Sequence, residues 1–228
     1  MNLSQKLACS VLTLLFCNPS HAIPTYFTAD AVLPNGIGTL ISKRNEFHTT
    51  ASSNGATLAL EGFESFTNGN PINFGAFTAT LINGFNNSFT QVSNNFSITT
   101  QPNSVMSFST LGSTAVELAF SSVINAFGVD ITSIDSTATS ISFLDDIGNV
   151  LNAFSVGGVS NGGATFFGVF NNQAFSKVRF NFAGQETLNL DYLEFGTAPS
   201  LSVPEPKQML LIGLGIVGLA LVYRRKFV

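Results

Sequence analysis

The stretch that decides the fold is residues 115–120, AVELAF, in which two kinds of position alternate. Val116, Leu118 and Phe120 fall on one face of an extended chain, because successive side chains in a strand point to opposite sides. The same period of two recurs in two later stretches: Ile141 with Phe143, and Val178 with Phe180 and Phe182. Each stretch predicts a β-strand that buries one face.

Composition extends this prediction to the whole domain. The chain has 23 Phe, no Trp, 20 Gly and only 10% charged residues, and no long window has helical periodicity. Clusters rich in Asn and Gly separate the apolar stretches and are typical of turns. One predicted hairpin joins residues 140–144 to residues 150–156 through a turn that contains Gly148. The sequence predicts an all-β fold, a β-sandwich of jelly-roll type, over residues 56–198.

The first 22 residues have the pattern of a signal peptide. Lys6 supplies a positive charge, residues 7–16 form an apolar stretch too short to span a bilayer, and small residues at Ser20 and Ala22 suit a signal peptidase. We expect cleavage after Ala22. The alternative is a lipoprotein acylated at Cys17, which the bulky neighbouring Phe16 disfavours.

The segment between the signal peptide and the sandwich, residues 23–55, is harder to interpret. Residues 26–33 suit an edge strand, whereas residues 34–55 are rich in Gly, Ser, Thr and Asn. We expect a strand followed by a flexible loop. His48 lies in this loop and is the only histidine left after cleavage, so we expect it to be solvated.

The C-terminus combines three chemically unrelated parts. The sequence Val203-Pro204-Glu205-Pro206 ends a linker (199–206), residues 209–223 carry no charge, and Arg224-Arg225-Lys226 follow. As a helix the 15 apolar residues span about 23 Å, which is short of a hydrocarbon core of about 30 Å. Residues 207–228 are therefore predicted to be a single transmembrane helix with a basic tail that serves as a temporary anchor; an ordinary C-terminal membrane tail is the alternative.

These three parts, in this order, resemble the PEP-CTERM sorting signal of exported bacterial proteins. The resemblance implies processing by an exosortase, a membrane-embedded cysteine transpeptidase, near Pro204-Glu205-Pro206. It also implies a Gram-negative source that makes exopolysaccharide. A weaker resemblance, over residues 61–196, to the jelly-roll domains of such proteins implies a lectin-like or carbohydrate-binding-module-like sandwich.

Removal of both ends changes the charge of the chain. Both cysteines, Cys9 and Cys17, leave with the signal peptide, so residues 23–203 can form no disulfide. Those residues keep four basic and twelve acidic side chains, a net charge of −8. This excess disfavours nucleic acid and anionic membranes as partners.

The remaining residue types restrict catalysis. One histidine and no cysteine exclude Cys/His pairs and multi-histidine zinc sites. Only a pair of carboxylates is left, as in glycoside hydrolysis. The candidates are Glu61 with Glu64, Asp145 with Asp146, and Asp191 with Glu194. Since Trp is absent and Tyr is rare, we expect no enzyme, and a secreted carbohydrate-active hydrolase is the alternative.

Calcium is a second use for these carboxylates, and no other cofactor is expected. By resemblance to lectin-like sandwiches, Glu61 or Glu64 on an early strand and Asp191 on the last could share a structural Ca²⁺, which prefers oxygen ligands. Solvated carboxylates on the outer faces of strands are the simpler interpretation.

Two functions follow from the sequence. In the first, a non-catalytic protein is held in the inner membrane as a precursor, processed by an exosortase and placed at the cell surface or in the exopolysaccharide matrix, with weak carbohydrate binding. In the second, a secreted hydrolase acts on a polysaccharide.

Overall fold

Eleven strands and one helix make up most of the described chain in the computed structural model. The structure describes residues 24–32, 35–82, 88–92, 104–109, 115–132, 139–157, 163–182 and 187–199. Helix α1 (Ile37–Ser53) lies between β1 and β2. The strands are β1 (Thr25–Val32), β2 (Thr57–Glu61), β3 (Ile72–Asn73), β4 (Phe77–Ile82), β5 (Thr90–Val92), β6 (Val105–Ser109), β7 (Ala115–Thr132), β8 (Thr139–Leu144), β9 (Val150–Val156), β10 (Gly163–Asn181) and β11 (Thr187–Thr197).

The two longest strands, β7 and β10, each take part in two layers of antiparallel pairing. The first layer has the order β9-β8-β10-β7-β4-β3 and uses residues 177–181 of β10 and 115–120 of β7. The second layer has the order β1-β10-β7-β11 and uses residues 163–170 of β10. The other edge of β11 pairs with two strands: β2 pairs with residues 193–197, and β6 pairs with residues 187–190. Strand β5 then pairs with β6. The register of β10 on β7 shifts between the two layers.

Phenylalanine rings from the two layers meet in the core. Phe143 of the first layer lies 6.4 Å from Phe127 and 6.1 Å from Phe167 of the second, measured between ring centroids. Phe77 of the first layer contacts Phe195 of the second at 5.7 Å. Such aromatic pairs add about 0.5–1.5 kcal/mol each beyond the area that they bury. The chain is an all-β sandwich, which confirms the predicted fold class.

Local predictions from the alternating pattern are also confirmed. Val116, Leu118 and Phe120 are buried in β7 and belong to the core between the layers. Strands β8 and β9 form the predicted hairpin, and Gly148 in its turn has φ +93°. That backbone conformation favours glycine because it has no Cβ.

The expected flexible loop at residues 34–55 is wrong, because residues 37–53 form α1. The helix has no side-chain N-cap, no acidic residue in its first turn and no basic residue in its last. Its stability comes from packing: Leu40, Arg44, Phe47 and Ala51 are buried at helical spacing. They cover the outer face of the second layer.

Two glycines of the second layer make room for this helix. Gly128 of β7 and Gly168 of β10 are direct register partners, and both lie beneath the ring of Phe47. A Cβ at Gly128 would lie 3.0 Å from Phe47 Cε1, and one at Gly168 would lie 3.2 Å from Phe47 Cδ2. The ring of Phe47 therefore packs against bare backbone.

The predicted terminal segments lie outside the described residues. They include the signal peptide with Ala22, and residues 200–228 with the Pro-Glu-Pro triplet and the basic tail. Within the described ranges, no helix has the length and apolar character needed to cross a membrane.

Candidate functional site

A polar cleft opens beside the segment that connects β2 to β4. Its volume is about 530 Å³. Glu61 at the end of β2 lines it, together with residues 65–69 and 71–74. The sequence predicts only a turn cluster in this region, and it does not predict a cleft.

Side-chain hydrogen bonds fix the middle of this segment to the sheet. The Asn70 amide oxygen accepts a hydrogen bond from Leu81 N at 2.8 Å, and its amide nitrogen donates to Leu81 O at 3.4 Å. Gly69 and Phe89 exchange two backbone hydrogen bonds, at 2.8 and 3.2 Å. The Asn70 side chain thus bonds both backbone groups of Leu81, as the backbone of a neighbouring strand would.

Gln91 of β5 ties the segment down at a second place. Its backbone N donates to Asn68 Oδ1 at 3.0 Å. Its Nε2 donates to Phe63 O at 3.2 Å and to Glu64 O at 2.5 Å. Hydrogen bonds from Asn70 to β4 and from Gln91 of β5 therefore fix the segment that lines the cleft.

The lining combines apolar rings with neutral polar groups. Phe66 and Phe74 are half-buried, and their ring centroids lie 5.6 Å apart. Phe74 stacks on the core residue Phe77 at 4.8 Å, which joins the lining to the core. Ser65, Thr67, Asn68 and Asn73 are exposed hydroxyl and amide side chains along the same lining.

Glu61 is the carboxylate that lines this cleft. Its Oε1 accepts a hydrogen bond from Phe63 N at 2.8 Å. Glu61 is the register partner of Leu193, which belongs to the core between the layers, so Glu61 lies on the inner face of the second layer. Glu64 Oε1 is buried and has no hydrogen-bond partner among the described residues.

Asp191 lies on the opposite face of the same layer. It is the register partner of Asp130, which forms a buried ion pair with Arg44 of α1. Asp191 and Asp130 are both fully buried. The Arg44 guanidinium also lies over the ring of Tyr192, 3.6 Å from its centroid.

Glu194 completes this buried charge cluster, which consists of Arg44, His48, Asp130, Asp191, Tyr192 and Glu194. His48 Nε2 lies 2.5 Å from Glu194 Oε1. Burial raises the pKa of the Glu194 carboxyl, although His48 and Tyr192 oppose the shift. Burial and the neighbouring Glu194 raise the pKa of Tyr192 to about 12. The expected loop is wrong, because His48 lies on α1; its side chain is 39% exposed and contacts the Glu194 carboxylate.

Glu61, Glu64 and Asp191, the carboxylates named from the sequence for calcium, do not converge on one site. No group of three or more His, Cys, Asp or Glu side chains in the described part of the chain could hold a metal ion. Glu61 and Asp191 lie on opposite faces of one layer, because the irregular pairing between Asp191 and Glu194 breaks the alternation that would otherwise put Asp191 on the face of Leu193, the register partner of Glu61. The arrangement gives the calcium hypothesis for Glu61, Glu64 and Asp191 no support, and it stays a prediction.

Members of two of the three candidate catalytic pairs are engaged in structural contacts. Asp191 and Glu194 are buried beneath α1. Asp145 is in the β8–β9 turn, where its carboxylate accepts hydrogen bonds from Asn149 N at 2.7 Å and Asn149 Nδ2 at 2.8 Å. This is an ordinary use of aspartate in a turn.

Sequence reasoning missed Arg44 and Tyr192. Arg44 and His48 are four residues apart, which places them on one face of a helix, but that signal has meaning only once α1 is recognised. Tyr192 has φ 47°, a left-handed conformation that coincides with the irregular pairing of β11 on β7. No sequence pattern marks that irregularity.

Comparison with known proteins identifies the C-terminal segment. Residues 202–226 match the PEP-CTERM protein-sorting motif. The match spans the Pro-Glu-Pro triplet, the apolar run and the basic tail, and it confirms the motif predicted from the sequence. It supports the interpretation of the chain as an exported protein that an exosortase sorts. No curated protein matches the chain.

Several solved structures resemble the fold at low identity. The K2 cleaved adhesin domain of Lys-gingipain is 14% identical with a TM-score of 0.44, over 61% of this chain and 99% of that one. CBM29-2, a family 29 carbohydrate binding module, is 12% identical with a TM-score of 0.40, over 66% and 98%. The catalytic domain of a GH87 α-1,3-glucanase is 17% identical with a TM-score of 0.36, over 65% and 30%. With TM-scores below 0.5, these likenesses say nothing about what this chain binds.

Proposed function

We propose that this chain is an exported, non-catalytic protein that an exosortase processes and that then joins the cell surface or exopolysaccharide matrix of a Gram-negative bacterium, where it binds carbohydrate weakly. The observation that carries the proposal is the match of residues 202–226 to the PEP-CTERM protein-sorting motif. The precursor would be held in the inner membrane by the apolar run 209–223.

The physical chemistry of the tail supports a sorting signal that is removed after export. Pro204 and Pro206 disfavour a helix, so we expect the chain to be extended just before the apolar run. Basic residues 224–226 favour the cytoplasmic side and orient the run in the membrane. Cutting near the triplet would release the sandwich and leave the anchor behind.

A non-catalytic role is supported by the use of the carboxylates. Asp191 and Glu194 are buried under α1, and His48 is paired with Glu194. Weak carbohydrate binding is supported by the polar cleft, whose lining offers rings, hydroxyls and amides.

Replacing Pro204-Glu205-Pro206 with three alanines tests the proposal in the native host. We expect full-length protein to accumulate in the inner membrane, whereas the wild type appears at reduced mass at the surface or in the matrix. Alanines at Ser200 and Leu201, just before the matched residues, are the matched control and should leave sorting unchanged. Unchanged processing and localisation of the triple-alanine variant would overturn the proposal.

A further inference from the structure

We infer that the cleft lined by Glu61 and by residues 65–69 and 71–74 is a binding site for a neutral glycan and discriminates against anionic polysaccharides. This inference rests on the proposed association with a polysaccharide matrix and names the site and the chemical class of the ligand. Nothing in the motif at residues 202–226 bears on it.

The size of the cleft suits a short stretch of sugar residues. Ligand sites in proteins commonly have volumes of about 300–1,000 Å³, and this cleft has about 530 Å³. It is open to solvent along its exposed lining residues, Ser65, Thr67, Asn68 and Asn73, so a polymer could enter without having to expose a chain end. The cleft can therefore accept an internal segment of a glycan.

The lining matches the two surfaces of a sugar. A pyranose ring has an apolar face of C–H groups and a rim of hydroxyls. Phe66 and Phe74 present half-buried apolar rings to the cleft. Asn68 and Asn73 use their amide oxygens within the protein, accepting from Gln91 N and Gly75 N, and among the described residues their amide N–H₂ groups have no partner. Those N–H₂ groups are donors for hydroxyl oxygens.

Charge separates neutral from anionic glycans. None of the described residues that line the cleft is basic, and one of them is the carboxylate Glu61. All four basic residues between positions 23 and 203 are described, and each forms an ion pair elsewhere: Lys43 with Glu46, Arg44 with Asp130, and both Lys177 and Arg179 with Glu117. A polyuronate would bring its negative charges to a chain of net charge −8 over residues 23–203. A neutral glycan avoids that repulsion.

The cleft is also organised before the ligand arrives. Gln91 holds the first half of the segment at Phe63, Glu64 and Asn68, and Asn70 holds its middle to Leu81. Ordering a loop on binding costs free energy and weakens affinity. Because these contacts order the segment when the protein folds, ligand binding does not incur that cost.

The test is binding of full-length protein, purified in detergent, to immobilised dextran, a mixed-linkage β-glucan and alginate, a polyuronate. We expect retention on at least one neutral glucan and none on alginate. Phe66→Ala should weaken that binding by about tenfold, since about 1.4 kcal/mol of ring contact corresponds to a factor of ten. Thr67→Ala removes an exposed hydroxyl without touching the core and should weaken it about threefold.

Phe154→Ala is the matched control, because Phe154 is also a partly buried ring packed against the core but lies on β9, outside the cleft. It should leave binding unchanged. Three results would overturn the inference: no retention on either neutral glucan, preference for alginate, or full retention by folded Phe66→Ala and Thr67→Ala proteins. Correct sorting together with any of these results would leave the proposed export and processing standing and remove only the assignment of this cleft, whereas failed sorting with cleft-dependent binding would do the reverse.

Discussion

Arg44 is a cation in the interface between α1 and the second layer, where its side chain is 7% exposed and that of Asp130 is fully buried. Taking two charges out of water is costly, and their mutual attraction offsets that cost only while both are present. The neighbouring residue on the helix, Lys43, pairs with Glu46 at the surface, where the two side chains are 32% and 56% exposed. One helix therefore carries a buried and an exposed ion pair side by side.

Arg44→Met and Lys43→Met should separate these two environments. Arg44→Met leaves the buried Asp130 without its cation, so we expect a loss of about 3–5 kcal/mol in the free energy of unfolding. Lys43→Met should cost less than about 1 kcal/mol because its pair is solvated. Urea unfolding of the full chain in detergent, followed by circular dichroism, measures both. Equal small losses would show that the buried pair does not contribute to stability.

The same residues show what a sequence can reveal at this scale. Carboxylates, one histidine and four cations are visible as types, and so is the lack of histidine and cysteine clusters. Their partners are not visible: His48 pairs with Glu194 across 146 positions and Arg44 with Asp130 across 86. Such pairings depend on the register of β7 against β11, which no local pattern encodes.

At the scale of elements, strands were easier to predict than the helix. A period of two with large apolar residues identifies half-buried strands such as β7 and β8 even in a single sequence. Helix α1 lacks end signals, contains several Ser and Thr residues, and has Arg44 within its buried stripe. Its helical state is determined by the surface on which it packs, so local sequence alone predicts it poorly.

Phe47→Ala tests whether packing holds α1 in place. Removing the ring opens a cavity over Gly128 and Gly168 and should cost about 3–5 kcal/mol. Hydrogen exchange should accelerate first at the α1 amides, because the helix can open before the sandwich does. Ile41→Ala, at an exposed position of the same helix, is the control and should cost less than about 1 kcal/mol. Uniform acceleration through β7 and β10 as well would contradict a separately docked helix.

At the scale of the whole molecule, composition and turn spacing were sufficient for the β-sandwich but not for its connections. β7 and β10 run through both layers, a consequence of register shifts near residues 170–177 that the sequence does not announce. The cleft likewise depends on Gln91 reaching back to the segment after β2. The sorting tail was predictable because its three parts are contiguous and are recognised without folding.

Calcium tests the arrangement of the carboxylates over the whole sandwich. Glu61 and Asp191 lie on opposite faces of the second layer, and no group of three candidate ligands in the described ranges could hold a metal. We therefore expect the melting temperature of the full chain to change by less than about 1 °C between millimolar Ca²⁺ and excess chelator. At a Ca²⁺ concentration 100 times the Kd of a site, binding would raise the free energy of unfolding by about 2.7 kcal/mol. For a chain of this size that raises the melting temperature by roughly 5–10 °C.

Mg²⁺ at equal concentration is the control for ionic strength, since it prefers a different coordination geometry from Ca²⁺. A shift of several degrees in Ca²⁺ alone would contradict the prediction and restore the lectin-like calcium hypothesis. In that case Glu61→Gln, Glu64→Gln and Asp191→Asn would identify the ligands, because a true ligand abolishes the shift. Asp191→Asn also changes the buried cluster, so its effect must be read as the difference between Ca²⁺ and chelator within the same variant, which cancels any general loss of stability.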